Sequence, residues 1–249
     1  MLSIVPPQHN KHTLDDTISG APMEFSVHHV DTHLRNTNLT VVYTDDPTMV
    51  ENSINTMERL LAVDDKYKVV VLDLVYTDGR DGHDQKVVVT HLCVCHHILL
   101  YQYFRDTKPC DHFTRFVNRP NYRFATADTT NDPKVLKTSG LACQKLVDIH
   151  DHYKDRGSKK DKDSHVDLVV AIIDPYYRDM KAECDKNKLV WHRALLKRLD
   201  KYHFQTAAKE AYTWYEIFTQ IIDMRKCLLA EDNEGSSRKQ SGGDKRHKK

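Results

Sequence analysis

Residues 68–103 constrain the fold of this chain most. Residues 69–75 read Val-Val-Val-Leu-Asp-Leu-Val and residues 86–94 read Lys-Val-Val-Val-Thr-His-Leu-Cys-Val, with a turn rich in Gly and Asp at residues 77–82 between them. The run Ile-Leu-Leu-Tyr follows at residues 98–101. Runs rich in β-branched residues on either side of such a turn predict consecutive strands. A nearly continuous apolar run is typical of a strand buried on both faces.

Asp73 lies inside the most apolar of these runs. A carboxylate is costly to bury unless a partner, a proton or a metal ion compensates its charge. Asp73 is therefore the first candidate functional residue of the chain.

The composition indicates a globular protein rather than a fibrous or membrane protein. The chain has 249 residues, of which 39% are hydrophobic and 29% charged, and its net charge of +1 indicates no class of partner. No apolar run approaches the length needed to span a bilayer, and the N-terminus lacks the layout of a signal peptide. Most of the six cysteines are scattered singly. We therefore expect an intracellular protein of the nucleus or cytoplasm that makes no membrane contact.

The pattern of hydrophobic residues predicts an alternation of strands and helices. Helix starts are indicated by Asp45-Asp46-Pro47 and by Asn131-Asp132-Pro133, and Gly140 is predicted to end the second of these helices. Further strands are predicted at residues 24–30, 38–44 and 122–127 and within 141–149, and further helices at 110–117, 166–173, 195–200 and 204–224. This order favours an α/β or α+β protein with a mixed sheet.

The ends of the chain differ in composition from its centre. We expect a flexible N-terminal arm at residues 1–22, one folded domain at 23–229 and a disordered basic tail at 230–249. The basic composition of the tail is as typical of a nuclear import signal or a phosphate-binding segment as of a tail that only increases solubility. The charged run at 151–165 is predicted to be a solvated loop, and its lysines are alternative phosphate contacts.

Three acidic residues are candidates for one site, namely Asp73 in the central strand, Asp132 at a helix start and Glu210 in the long final helix. If these elements meet at one end of the sheet, the three carboxylates converge. Hard divalent ions such as Mg²⁺ prefer oxygen ligands, and a pair of such ions stabilises both oxygens of a phosphodiester displacement. In the alternative interpretation, Asp132 only caps its helix and Glu210 faces solvent near Lys209.

A zinc site is a further hypothesis for residues 93–97, which read Cys-Val-Cys-His-His. On a strand, Cys93 and Cys95 point to the same face. A structural zinc site needs four ligands, usually as two close pairs, and the sequence has no second close pair of cysteines. Structural cysteines followed by a polar turn are therefore the favoured interpretation.

Several segments resemble the Werner-type 3′–5′ exonucleases of the DEDD superfamily. Residues 71–75 and 87–94 resemble the first two strands of that family, residues 127–136 resemble its second motif, and Ala-Ala-Lys-Glu-Ala-Tyr at 207–212 resembles its third. The resemblance covers residues 25–225 in the family's order. It implies an α/β, ribonuclease H-like fold, with a mixed five-stranded sheet flanked by helices.

The resemblance implies a metal site with degenerate motifs. Asp73 and Asp132 match two metal-binding acids of the family, and Glu210 stands where the family has Asp. Val75 stands where the family has a fourth acid, and Thr206 replaces a Tyr that orients the attacking water. The implied catalytic and metal-binding residues are therefore Asp73, Asp132 and Glu210, with Mg²⁺ or Mn²⁺ as the weakly bound cofactor.

Three further acids, Asp78, Asp81 and Asp128, are candidates to replace the carboxylate missing at Val75. The resemblance implies a 3′–5′ exonuclease-like protein that binds the 3′ end of DNA or RNA and hydrolyses it weakly or not at all. The alternative is a non-catalytic module that binds nucleic acid or a protein partner through the same cleft. Val75 and Thr206 favour that alternative, whereas the two matching aspartates favour residual activity.

Overall fold

The computed structural model describes residues 4–5, 26–31, 37–63, 68–77, 84–102, 110–127, 132–150, 165–175, 177–178, 199 and 201–240. The strands are β1 (Ile4–Val5), β2 (Ser26–Asp31), β3 (Asn38–Thr44), β4 (Val69–Tyr76), β5 (Val87–Val94), β6 (His97–Gln102), β7 (Arg123–Thr126) and β8 (Leu146–Asp148). The helices are α1 (Pro47–Val63), α2 (Asp111–Val117), α3 (Asp132–Thr138), α4 (His165–Ile172) and α5 (Lys201–Gln240).

The strands form one mixed sheet in the order β1-β2-β3-β6-β5-β4-β7-β8. Strand β5 is antiparallel to both β4 and β6, whereas β7 runs parallel to β4, and β8 runs parallel to β7. The five strands from β4 to β8 are therefore the mixed five-stranded sheet that was predicted. Three N-terminal strands extend this sheet to eight, because β3 pairs in parallel with β6 and β2 pairs antiparallel with β3.

Helices cover both faces of the sheet, and strand alternation divides the core between them. Val69 and Val71 of β4 belong to the cluster that includes α4 and α5, whereas Val70 and Leu72 belong to the cluster that includes α1, α2 and α3. Successive side chains of a strand point to opposite faces. Asp73 therefore falls on the face that α5 covers, and this explains why its run is apolar on both sides.

Local signals set the ends of two helices as predicted. The backbone N–H of Thr48 donates to the Asp46 carboxylate at 2.8 Å, which caps the start of α1. Gly140 has φ +72° after α3, and the N–H of Leu141 donates to the Leu136 carbonyl at 2.8 Å. A glycine in the left-handed region closes a helix in this way at low cost. Gly140 therefore ends α3.

Two described elements extend into the predicted arm and tail. Strand β1 lies inside the predicted flexible arm and pairs with His29 and Val30 of β2. Helix α5 continues to Gln240, beyond its predicted end at residue 224 and into the predicted tail. Elongating a helix that has already formed is much easier than nucleating one, so composition alone placed this end too early. The division into arm, domain and tail stays a prediction.

Several expectations concern residues outside the described part of the chain. The charged loop lies there except for residue 165, and so does the predicted helix at residues 195–200 except for Leu199, which is not helical. The three substitute acids, Asp78, Asp81 and Asp128, also lie there. Among the described helices, none combines the length and apolar character required to cross a bilayer.

Candidate functional site

A cavity of about 290 Å³ lies beside the carboxyl half of β4. It is lined by Asp73, Leu74, Val75 and Tyr76 of β4, His91 of β5 and Glu210 of α5. Two of the three predicted site acids, Asp73 and Glu210, are thus brought together from positions far apart in the sequence. The cavity is the candidate functional site.

Asp73 is held by a histidine on the neighbouring strand. Asp73 and His91 are directly opposite each other in the antiparallel pair of β4 and β5. The His91 Nδ1 lies 2.9 Å from the Asp73 Oδ2, and the side chains of His91 and Asp73 are 1% and 35% exposed. An ionised carboxylate only accepts hydrogen bonds, so Nδ1 carries the proton and donates it. His91 therefore orients a carboxylate that remains accessible from the cavity.

The sequence did not single out His91 as a site residue. The local sequence indicates only a strand at this position, because nothing local distinguishes a histidine that faces a carboxylate from one that faces solvent. The available signal was the strand register, because an antiparallel hairpin between the two runs determines which residue lies opposite Asp73. The sequence between the two runs does not by itself define that register.

Glu210 reaches the cavity because α5 lies close to the sheet. Ala207, Ala208 and Ala211 are fully buried against the strands. Small side chains at these positions allow the helix axis to approach the sheet, and Glu210 is carried half-buried on the same turn. Thr206, one turn before Glu210, does not line the cavity.

Asp132 lies apart from the cavity lining. It is the first residue of α3, it is 3% exposed, and its Oδ2 accepts a hydrogen bond from the Thr126 hydroxyl. Thr126 ends β7, which runs parallel to β4, so Asp132 follows the same edge of the sheet. Ala125 belongs to the core on the α5 face. Strand alternation therefore points Thr126, and with it Asp132, toward the opposite face.

The described side chains do not fit a pair of hard divalent ions. Mg²⁺ requires near-octahedral oxygen coordination, mostly from carboxylates and waters. The cavity offers two carboxylates, Val75 supplies only methyl groups, and one oxygen of Asp73 already accepts the proton of His91. Within the described residues, no group of three or more His, Cys, Asp or Glu side chains has an arrangement suited to a metal ion.

The zinc hypothesis for residues 93–97 is not supported by the arrangement of these side chains. The Cys95 Sγ lies 3.4 Å from the Tyr215 hydroxyl, whereas the His97 Nε2 lies 2.8 Å from the Ser53 hydroxyl of α1, on the other face of the sheet. Burial raises the pKa of the Cys93 thiol well above its usual value, which disfavours the thiolate that a metal requires. The turn between β5 and β6 separates these side chains.

A second histidine–aspartate pair lies at the end of β8. The His150 Nδ1 lies 3.3 Å from the Asp148 Oδ1, and the His150 ring packs edge-on against Trp214 with ring centres 5.6 Å apart. Trp214 follows Glu210 by one turn of α5. This pair does not line the cavity and connects the last strand to the helix that carries Glu210.

Comparisons with known proteins identify the fold. No family model matches the sequence, and no curated protein is significantly similar to it. Among solved structures, Trypanosoma brucei RNase D in complex with RNA U12 is similar at TM-score 0.58 and 9% identity, over 73% of this chain and 62% of that one. Escherichia coli RNase D, an exoribonuclease involved in structured RNA processing, is similar at TM-score 0.56 and 13% identity, over 74% and 45%. The Aedes aegypti Nibbler EXO domain is similar at TM-score 0.51 and 13% identity, over 75% and 88%.

The chain thus has the α/β, ribonuclease H-like fold of 3′–5′ exonuclease domains. The resemblance inferred from the motifs is confirmed at the level of the fold. The chain spans less than two thirds of each of the two RNase D chains, namely 62% and 45%.

Proposed function

We propose that this protein is an exonuclease-fold module that binds the 3′ end of a nucleic acid in the Asp73–Glu210 cavity and hydrolyses it weakly or not at all. The observation that carries the proposal is the composition of the cavity. It joins acids from the first and third motifs, yet it holds Val75 where the resemblance implies a ligand. Such a cavity retains a place for the substrate, while the described residues supply too few oxygen ligands for two-ion catalysis.

Single-stranded RNA is the first ligand to test. Support comes from Trypanosoma brucei RNase D, a protein of the same fold whose structure contains bound RNA. Divalent ions are expected to bind weakly, because the described residues that line the cavity include two carboxylates, whereas the resemblance implies four. The described cysteines Cys93, Cys95, Cys110 and Cys143 form no disulfide, which suits an intracellular, reducing location in the nucleus or cytoplasm.

The test combines binding and cleavage on the same substrates. The purified chain is incubated with labelled single-stranded RNA, single-stranded DNA and a 3′-recessed duplex, with Mg²⁺, Mn²⁺ or EDTA. Fluorescence anisotropy measures binding, and denaturing gels show shortening from the 3′ end. We expect binding of single-stranded RNA that persists in EDTA, with little or no ladder.

Two variants make the result specific to the cavity. Asp73→Ala is expected to weaken binding, whereas Asp223→Asn, at an exposed position of the same helix as Glu210, is the control. A strong Mg²⁺-dependent ladder that Asp73→Ala abolishes would show that another carboxylate completes the site. If the folded chain binds none of the three nucleic acids, the alternative of a protein partner gains instead.

A further inference from the structure

Two basic residues lie side by side where strands β7 and β8 begin. Phe124 of β7 and Leu146 of β8 are partners in the parallel register, and Arg123 and Lys145 each directly precede one of them. The backbone N–H of Phe124 donates to the Lys145 carbonyl at 2.9 Å, which joins the two strand starts. Phe124 and Leu146 both pack into the core on the face of α1, α2 and α3. Strand alternation therefore puts Arg123 and Lys145 next to each other on the other face of the sheet.

The charges of this pair repel each other. Both side chains are exposed, and among the described residues neither Arg123 nor Lys145 takes part in an ion pair. Like charges that are directly opposite on neighbouring strands destabilise a sheet. The arrangement therefore lowers stability unless a negatively charged partner binds there.

A third basic residue stands at the start of the next strand. Lys68 directly precedes β4, is exposed, and its carbonyl accepts the backbone N–H of Arg123 at 2.9 Å. Strands β4, β7 and β8 are parallel neighbours, so Lys68, Arg123 and Lys145 begin three adjacent strands and define a basic edge of the sheet. Val69, the register partner of Arg123, lies about 13 Å along β4 from Asp73. The basic edge is therefore at the opposite end of β4 from the cavity.

The basic edge has the chemistry of a phosphodiester-binding surface. A guanidinium donates two parallel hydrogen bonds to one phosphate, and an ammonium group beside it adds a point charge. The cavity has the opposite character, because the carboxylates of Asp73 and Glu210 repel phosphate groups. A nucleic acid held by this protein therefore needs a different surface to attract its backbone.

A lipid surface fits the basic edge less well. Binding in the plane of a bilayer interface requires apolar side chains beside the cations, which enter the boundary of the acyl chains. Among the described large hydrophobic residues, only Val63 at the end of α1 is exposed. One valine buries little apolar area, so cations without an apolar face favour a nucleic acid.

We propose that the basic edge binds the phosphodiester backbone of a single-stranded nucleic acid through Arg123 and Lys145, away from the Asp73–Glu210 cavity. Contacts to phosphate carry no sequence information, so this surface takes RNA and DNA of any sequence alike. It requires no 3′ end. The protein thus has a second nucleic-acid surface, which binds whether or not the cavity accepts a 3′ end.

A circular single strand tests the basic edge, because it has no 3′ end to enter the cavity. Fluorescence anisotropy measures binding of a labelled circle and of its linear form to the full chain in EDTA at several salt concentrations. We expect the circle to bind, and Arg123→Gln combined with Lys145→Gln to weaken its binding about tenfold at low salt. The slope of log affinity against log salt concentration should become less steep by about 1.4, since each contact to a single strand contributes about 0.7. RNA and DNA circles should lose affinity to the same degree.

Matched variants assign the binding to the basic edge. Arg115→Gln combined with Lys137→Gln removes one arginine and one lysine at exposed positions of α2 and α3, and is expected to leave the affinity for the circle unchanged. Arg123→Glu places a carboxylate beside Lys145 and turns a repulsive pair into an attractive one. Its melting temperature is expected to equal or exceed that of the parent while binding of the circle falls further. A loss of binding in this variant is then not a loss of folding.

The outcomes separate this surface from the proposed function. If the parent binds only linear strands, or if the Arg115 and Lys137 control weakens binding of the circle as much as the Arg123 and Lys145 variant, the basic edge is not a nucleic-acid surface. The same holds if the circle is not bound and phosphatidylserine vesicles bind the parent but not the Arg123 and Lys145 variant. Each of these results leaves binding of a 3′ end in the cavity intact.

The reverse result is equally distinct. If the circle binds through Arg123 and Lys145 while Asp73→Ala leaves binding of the linear strand unchanged, the proposed function of the cavity fails and the basic edge stands.

Discussion

At the scale of single residues, Val75 is the position of the cavity lining that departs from the acid implied by the motif resemblance. It lies opposite Val89 on the α5 face of the sheet, half-buried, and packs against the core on that side. A glutamate at this position would extend into the cavity that already holds Asp73 and Glu210. The cost is a third carboxylate in a small space, which only a bound cation offsets.

We predict that Val75→Glu combined with Thr206→Tyr and Glu210→Asp raises nuclease activity above that of the parent. The first change adds a ligand, and the third shortens a side chain by one methylene toward the distances that Mg²⁺ requires. Thr206→Tyr places a hydroxyl one helical turn before residue 210. Cleavage of one labelled strand with Mn²⁺ is compared between folded proteins, with Val75→Gln in place of Val75→Glu as the uncharged control.

The opposite outcome is also informative. If the triple variant is folded, binds Mn²⁺ and still leaves the strand intact, the departures at these positions are not what limits activity. The defect would then lie in the part of the cleft that holds the rest of the strand.

A second single-residue effect concerns His97, which is 6% exposed and whose Nε2 lies 2.8 Å from the Ser53 hydroxyl. Burial, followed by the nearby charges of His96 and Arg59, lowers the pKa of His97 from 6.5 to about 4. Between these values the unfolded chain binds a proton that the native state does not. The contribution of His97 to stability is therefore complete above pH 6.5 and is lost as the pH falls toward 4.

We predict that, because of His97, the free energy of unfolding is about 2 kcal/mol lower at pH 5 than at pH 7. Urea unfolding at the two pH values measures the loss, and His97→Gln is expected to reduce it by that amount. His112→Gln, at a more exposed position on α2, is the control. An unchanged difference between pH 7 and pH 5 in folded His97→Gln would contradict the assignment.

At the scale of secondary-structure elements, the position of α5 on the sheet determines the site. Its three buried alanines contact strands that also carry Asp73, and the next turns bury Trp214, Tyr215 and Phe218. The helix is therefore fixed by packing on both sides of Glu210. A change in its distance from the sheet moves Glu210 relative to Asp73.

We predict that Ala208→Leu destabilises the protein by about 1 to 3 kcal/mol, because the close-packed interface has no room for three more carbons. For a domain of this size the melting temperature falls by about 2–4 °C for each kcal/mol. Binding of single-stranded RNA should weaken as well. Ala171→Leu, at an exposed position of α4, controls for the change in side-chain size. Equal melting temperatures for the two variants would show that the interface is looser than the structure indicates.

At the scale of the whole molecule, the N-terminal strands complete the sheet. Strand β3 lies between β2 and β6, and Leu39, Val41, Val42 and Tyr43 are buried within it. The backbone of β3 is paired on both sides. Without β2, one side would expose a row of hydrogen-bonding groups beside apolar side chains, which is a template for association with another chain.

We predict that a chain beginning at residue 37, which lacks β1 and β2, has a lower melting temperature and associates with itself more strongly than the full chain. Light scattering coupled to size-exclusion chromatography measures the association. The same truncation with Thr40→Lys, which places a charge on the exposed edge, should associate less. If the truncated chain has the same mass and melting temperature as the full chain, β1 and β2 do not protect the edge.

The sequence by itself determined most elements and the residue types of the site. Apolar runs at residues 69–75 and 86–94, the cap at Asp46 and the stop at Gly140 depend on neighbours a few residues away, so their patterns could be interpreted without the fold. The motif order likewise indicated Asp73, Asp132 and Glu210 as members of one site, and Asp132 does not line the cavity. The structure confirms these elements and joins the other two acids in one cavity.

Only the tertiary structure decided which side chains meet. The contact of His91 with Asp73 depends on strand register. The hydrogen bond from Thr126 to Asp132 depends on where β7 ends. The three added strands and the full length of α5 depend on the partners that each element finds. Pairings between distant residues are set by the packing of the whole sheet. Local periodicity encodes which face a side chain takes, but not which residue lies opposite it.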